Sequence, residues 1–131
     1  MLVSSDSENN LRIYVIDWEM ARCARPELDV GNFAMMTYSI ANLYPHANSF
    51  RLVQEFYKSY REHFAVDVVQ IALSCGTDVM SYGATAPWMV GRGDSALEAF
   101  TRAGVQLLEA GWEGDIDLIK QSVVVRDMYS E

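Results

Sequence analysis

Three carboxylates near the N-terminus have the types and spacing that metal chemistry needs. The segment Tyr14 to Val30 reads YVIDWEMARCARPELDV. An apolar, β-branched run delivers Asp17 at its end, Trp18 and Glu19 follow at once, and Asp29 stands further on at a helix start. A hard cation such as Mg2+ takes oxygen ligands in a rigid shell, and a strand end beside a hairpin holds a carboxylate in that way. Each acid also has a plainer reading, Asp17 as a turn residue and Asp29 as a helix N-cap. Cys23, Cys75, His46 and His63 show neither a CxxC pair nor histidine ligand spacing, so the cysteines read as reduced residues packed as small apolar groups. Arg92-Gly93-Asp94-Ser95 reads as a turn whose Asp94 or Ser95 caps the next helix. Gly91-Arg92-Gly93 lacks the preceding strand and the Lys-Ser/Thr of a phosphate loop.

The elements that must position these acids belong to one domain, residues 1–131, of which half are hydrophobic and 21% charged. A net charge of −8 repels a phosphate backbone, which disfavours nucleic acid as a main partner. No apolar run approaches the ~20 residues that span a bilayer, and the first ten residues lack the pattern of a secretory signal. No Asn-x-Ser/Thr sequon is present, and a cytoplasmic protein is the expectation. Residues 1–17 predict a β-hairpin: Met1–Val3 is apolar, Ser4–Asn10 is polar and rich in turn formers, and Leu11–Asp17 is β-branched and aromatic.

From residue 28 to 129 the periodicity is helical, giving a mainly α fold of a hairpin and about five helices. Asp29 is expected to cap a helix to about Tyr44 that is buried nearly all round, Met35, Met36, Ile40 and Leu43 covering the side opposite its main stripe. The second helix, about Ser49 to Phe64, has the cleanest pattern. Phe50, Val53, Tyr57, Tyr60 and Phe64 share one side, and Arg51, Gln54, Glu55, Lys58, Arg61 and Glu62 face water. Asp67 caps a third helix to about Ala86, where Ala72, Gly76, Gly83 and Ala84 allow a neighbour to approach closely. Ser95-Ala96-Leu97-Glu98 reads as a capping box opening a fourth helix that ends at Gly111. A last helix begins near Asp115 and carries Ile116 and Ile119.

Ile16-Asp17-Trp18-Glu19, followed by Arg25-Pro26-Glu27-Leu28-Asp29-Val30-Gly31, resembles the metal-binding segment of the aminoglycoside phosphotransferase and choline kinase-like family, whose fold is similar to that of protein kinases. This copy looks most like the phosphotransferase-domain proteins of fungi. The resemblance implies that Asp17 binds the Mg2+ that bridges the ATP phosphates, the role of the DFG aspartate in protein kinases. It implies that Glu19 sits near the metals and that Asp29 gives structural support to the catalytic loop. The resemblance also implies that the chain starts just after that loop, as a partial kinase-like C-terminal lobe. The base aspartate, the metal-binding Asn, the glycine-rich loop and the nucleotide-anchoring Lys have no counterparts here, and no His-x-Asp occurs.

Mg2+ and ATP are thus the implied cofactors, which this chain is not expected to hold tightly. The implied function is a share of a small-molecule phosphotransferase, with a hydroxyl acceptor of the aminoglycoside or choline class and no catalytic residue in this chain. The alternative is a non-catalytic helical protein of kinase descent that binds a partner. Neither reading involves nucleic acid or a membrane. Self-association through the hairpin side is expected, because the apolar first helix and the free strand edge at Met1–Val3 leave surface uncovered.

Overall fold

A computed structural model describes residues 2–5, 11–14, 23–43, 49–83 and 91–130. The chain is mainly helical. Strands β1 (Leu2–Ser5) and β2 (Leu11–Tyr14) pair antiparallel, Leu2 opposite Tyr14 and Ser5 opposite Leu11. Five α-helices follow: α1 (Pro26–Leu43), α2 (Ser49–His63), α3 (Val68–Gly83), α4 (Asp94–Glu113) and α5 (Ile116–Gln121). A 3-10 turn, Arg126–Met128, comes after α5.

Helix α3 is the centre, with its most extensive contacts to α4 and α1. Ile71, Ala72, Cys75 and Val79 recur at helical spacing along it and are wholly buried. Close approach on both sides depends on glycine. A Cβ on Gly31 of α1 would stand 2.8 Å from Ser74 Oγ and 2.9 Å from the Cys75 backbone nitrogen. On the other side, a Cβ on Gly76 would meet Leu108 at 2.7 Å, and one on Gly104 would meet Val79 at 2.6 Å. The small residues expected at Ala72 and Gly76 therefore do admit a neighbour; Ala84 lies outside the described residues. The pairings run α1 parallel to α3 and α4 antiparallel to it, since Arg25 meets Gln70 and Asn32 meets Asp78, while Gly111 meets Leu73 and Gly104 meets Val79.

Helix α2 lies antiparallel on α1, with Phe33 stacked on Phe56 at 4.0 Å between ring centroids. Val53 and Tyr57 are buried, but Phe50 and Phe64, at the two ends of the same stripe, are 48% and 52% exposed because the neighbouring helix covers only its middle. The polar side of α2 meets water as expected, with Gln54 alone half-buried. Helix α5 and the turn after it close the base, burying Ile119, Val124, Val125 and Met128.

Several local expectations are corrected. Helix α1 starts at Pro26, not Asp29: proline has no N–H to lose and a φ suited to the first helical position, so Asp29 lies within the first turn instead of capping it. That helix is not buried nearly all round. Met35 is in the core and Met36 is half-buried, whereas Leu28, Asn32 and Ile40 share an exposed face. The capping box is absent: Gly93 is the N-cap, no side chain caps α4, and Glu98 pairs with Arg102 one turn on. Helix α4 runs past Gly111 to Glu113 and stops at Gly114, whose φ of 71° is the left-handed conformation that glycine adopts at low cost. Gly111 is a packing residue against Ala72 and Leu73. In α5 only Ile119 is buried, while Ile116 is exposed. Cys75 is packed as a small apolar group, but Cys23 is exposed.

Tyr129 packs edge-on against Tyr57 near the base, and its buried hydroxyl has no hydrogen-bond partner of acceptable geometry. Burial, with Tyr57 beside it, pushes its ionisation well above the usual tyrosine range. A buried hydroxyl without a partner loses its hydration for nothing in return, so Tyr129→Phe is expected to be neutral or to stabilise by up to about 1 kcal/mol. The sign of the pH effect follows from the raised pKa. The unfolded chain releases this proton near pH ~10 while the folded chain keeps it, so stability holds below pH ~10 and falls above it. Urea midpoints at about pH 8 and about pH 11 should show a shallower alkaline loss in Tyr129→Phe than in the parent. An equal loss would show that this hydroxyl is not responsible.

Candidate functional site

Asp17 and Glu19, the two acids assigned to metal by resemblance, lie outside the described residues, as does Trp18. Asp29 is placed, exposed, in the first turn of α1. Two further groups that periodicity does not distinguish surround the same corner. Glu27, also in that first turn, is 9% exposed, and its Oε1 accepts a hydrogen bond from the Asp67 backbone N–H at 3.1 Å. Asp67 in turn caps α3, its Oδ1 accepting from the Val69 N–H at 2.8 Å and the Gln70 N–H at 3.4 Å. The N-terminal ends of α1 and α3 are thus tied by the Glu27 carboxylate and α3 is capped by that of Asp67, where the positive ends of the helix dipoles favour negative charge.

Asp29 turns to α2 instead. Tyr60 stands near its carboxylate, and the tyrosine's ionisation is raised by burial first, then by the negative charge of Asp29 beside it, with Glu27 adding a smaller part. Arg25 Nη1 donates to Gln70 Oε1 at 3.3 Å, a second tie from the start of α1 to α3. The Glu27 side chain thus ties α1 to α3, the Asp67 side chain caps α3, and Asp29 faces Tyr60 of α2. Among the described residues no group of three His, Cys, Asp or Glu side chains is gathered to hold a metal ion.

Chemically, this corner braces the residues that lead into α1. The sequence placed Glu27 ahead of the helix, and both its position in the first turn and its contact across to Asp67 come from the structure. Tyr60 read as one more aromatic of the α2 stripe, and only the tertiary structure brings it near Asp29. The chain matches no family model, no curated protein and no solved structure.

Proposed function

We propose that the chain is the C-terminal-lobe part of an ATP- and Mg2+-dependent small-molecule phosphotransferase, acting on a hydroxyl acceptor of the aminoglycoside or choline class and inactive by itself. The observation that carries this reading is the segment Ile16-Asp17-Trp18-Glu19 with Arg25-Pro26-Glu27-Leu28-Asp29-Val30-Gly31. The mainly helical chain after it, and the start of α1 at Pro26, are compatible with a kinase-like lobe with an N-terminal hairpin. In this reading Asp17 holds Mg2+, Glu19 stands near it, and Asp29 braces the catalytic loop. Phosphoryl transfer depends on positioned charge, and the residues here do not include the base, the second metal ligand or the nucleotide cradle.

The purified chain, given ATP, Mg2+ and either an aminoglycoside or choline, is therefore expected to transfer no phosphate. Joined to an in-frame upstream coding segment containing His-Gly-Asp-x(4)-Asn, it is expected to become active, and Asp17→Ala should then lower the rate by about a thousandfold or more. Activity of the isolated chain that is lost in Asp17→Ala would overturn the inactivity. Activity of the joined protein that is indifferent to Asp17→Ala would overturn the metal assignment.

A second reading, a non-catalytic partner-binding protein of kinase descent, is favoured by one observation: Glu27 is engaged by the Asp67 backbone N–H. An upstream frame without the catalytic motif would select it. Self-association through the hairpin side belongs to either reading and rests on the free strand edge at Met1–Val3 expected from the sequence. A stable monomer by light scattering at micromolar concentration would remove it.

A further inference from the structure

Both lysines of this acidic chain, Lys58 and Lys120, line one groove of about 500 Å3 between α2 and the turn after α5. Arg61 joins them, with Tyr57 and Tyr129 in the wall. Basic residues number ten against eighteen acids over the whole chain, so three cations on one groove is a local reversal of the molecule's sign. None of the three is paired with a carboxylate among the described residues; the ion pairs there are Arg102–Glu98 and Arg126–Asp127. Glu55 is the acid in the groove wall.

The cations are also held in place. The Arg61 guanidinium lies over the Tyr57 ring at 5.7 Å, and the Lys120 ammonium over the Tyr129 ring at 5.9 Å. A ring face attracts a cation without neutralising it, so each group keeps its full charge and donors while its long stem loses freedom before any ligand arrives. The two rings themselves meet edge to face, 5.2 Å apart, so the supports form one unit. A solvated polar face of α2 would account for Lys58 and Arg61 alone. It does not account for Lys120, which comes from α5 to the same groove.

We propose that this groove binds a small phosphate-type polyanion, bridged by Lys58, Arg61 and Lys120. The remaining negative charge of the chain opposes such a ligand at long range. With a Debye length of ~8 Å at physiological ionic strength, distant acids are screened while the three neighbouring cations are not. A ligand carrying several charges on adjacent oxygens uses all three cations at once, whereas a single carboxylate uses one.

The test uses inorganic tripolyphosphate as probe, with the full chain in solution and calorimetry as the readout. Because the lysines are both in the groove, amine acetylation followed by mass spectrometry reads the site directly. Saturable binding is expected, with both lysines protected from acetylation by the probe. Lys58→Gln and Lys120→Gln should each weaken binding by about 3–10-fold, and Glu55→Gln should tighten it. Lys58→Arg, which keeps the charge, should retain binding and shows that the site, not the fold, was changed. Arg102→Gln, on α4, should change nothing. No binding at millimolar probe, lysines acetylated equally with and without it, or an affinity in either Lys→Gln variant equal to that of the parent would each overturn the proposal. Acetate competing as well as tripolyphosphate would show general attraction to exposed charge and would also overturn it.

Discussion

Leu107→Ala is expected to destabilise the folded chain by about 2–5 kcal/mol, a large part of the ~5–15 kcal/mol that holds a typical domain together. Leu107 is wholly buried on α4, in the interface with α3, the most extensive among the described elements. Removing its isobutyl group forfeits the transfer of those carbons from water and leaves a cavity. The walls of that cavity cannot collapse freely, because Gly104 and Gly111 already hold the same two helices in near-backbone contact with Val79, Ala72 and Leu73. The closer two helices already sit, the less they can move inward to fill a void. Leu52→Ala is the comparison: Leu52 is 48% exposed on α2, and its loss should fall within about 0.5 kcal/mol of neutral. Urea unfolding followed by circular dichroism measures both. A Leu107→Ala loss below about 1 kcal/mol would mean that α3 and α4 do not pack as described.

Gly31→Leu is the second large effect. Even the first added carbon at Gly31 would stand 2.8 Å from Ser74 Oγ and 2.9 Å from the Cys75 nitrogen. The serine hydroxyl can rotate away, but the Cys75 nitrogen is backbone of the central helix and cannot. Helices α1 and α3 must therefore separate, which opens the core around Val30, Ala34, Ile71 and Cys75. Overpacking of this kind typically costs about 1–3 kcal/mol, and a leucine, with further atoms aimed at the same backbone, should cost about 3 kcal/mol or more. Gly31→Ala should lose less, because alanine's better helix propensity returns up to about 1 kcal/mol. Gly91→Ala separates sterics from conformation. Among the described residues no atom lies within 4 Å of its would-be Cβ, but φ is +84°, so its cost of about 1–2 kcal/mol is one of backbone strain. The expected order of stability loss is Gly31→Leu above Gly91→Ala, read from thermal midpoints. The reverse order would remove close packing as the reason for glycine in α1.

What the sequence determined by itself is local. The polar side of α2 was legible because a helix has a fixed period, and a run of Arg, Gln, Glu and Lys at that period has to face water. Asp67 was legible as a cap because its side chain reaches the N–H groups two and three residues ahead, a contact that needs no other part of the fold. Ala72 and Gly76 were legible as a close-packing stripe, since small residues at that spacing leave room for nothing but a neighbour's backbone.

The tertiary structure decided whatever depends on which neighbour is present. Gly111 and Gly114 are equally good helix stops in the sequence. Gly114 ends α4 because the chain must turn there into α5, and Gly111 stays helical because Leu73 and Ala72 press on it. Ile116 and Ile119 are alike in type, and only Ile119 finds the core, because α5 is short and presents one side to it. Asp29 looked like a cap until Pro26 began the helix a turn earlier and left its carboxylate near Tyr60. Lys58 and Arg61 belonged to a water-facing side of α2 in the sequence, and they become a groove wall only when α5 brings Lys120 beside them. Periodicity reports which side of one element is apolar. It carries no information on what stands opposite, and burial, ion pairing and site formation are properties of that opposite surface.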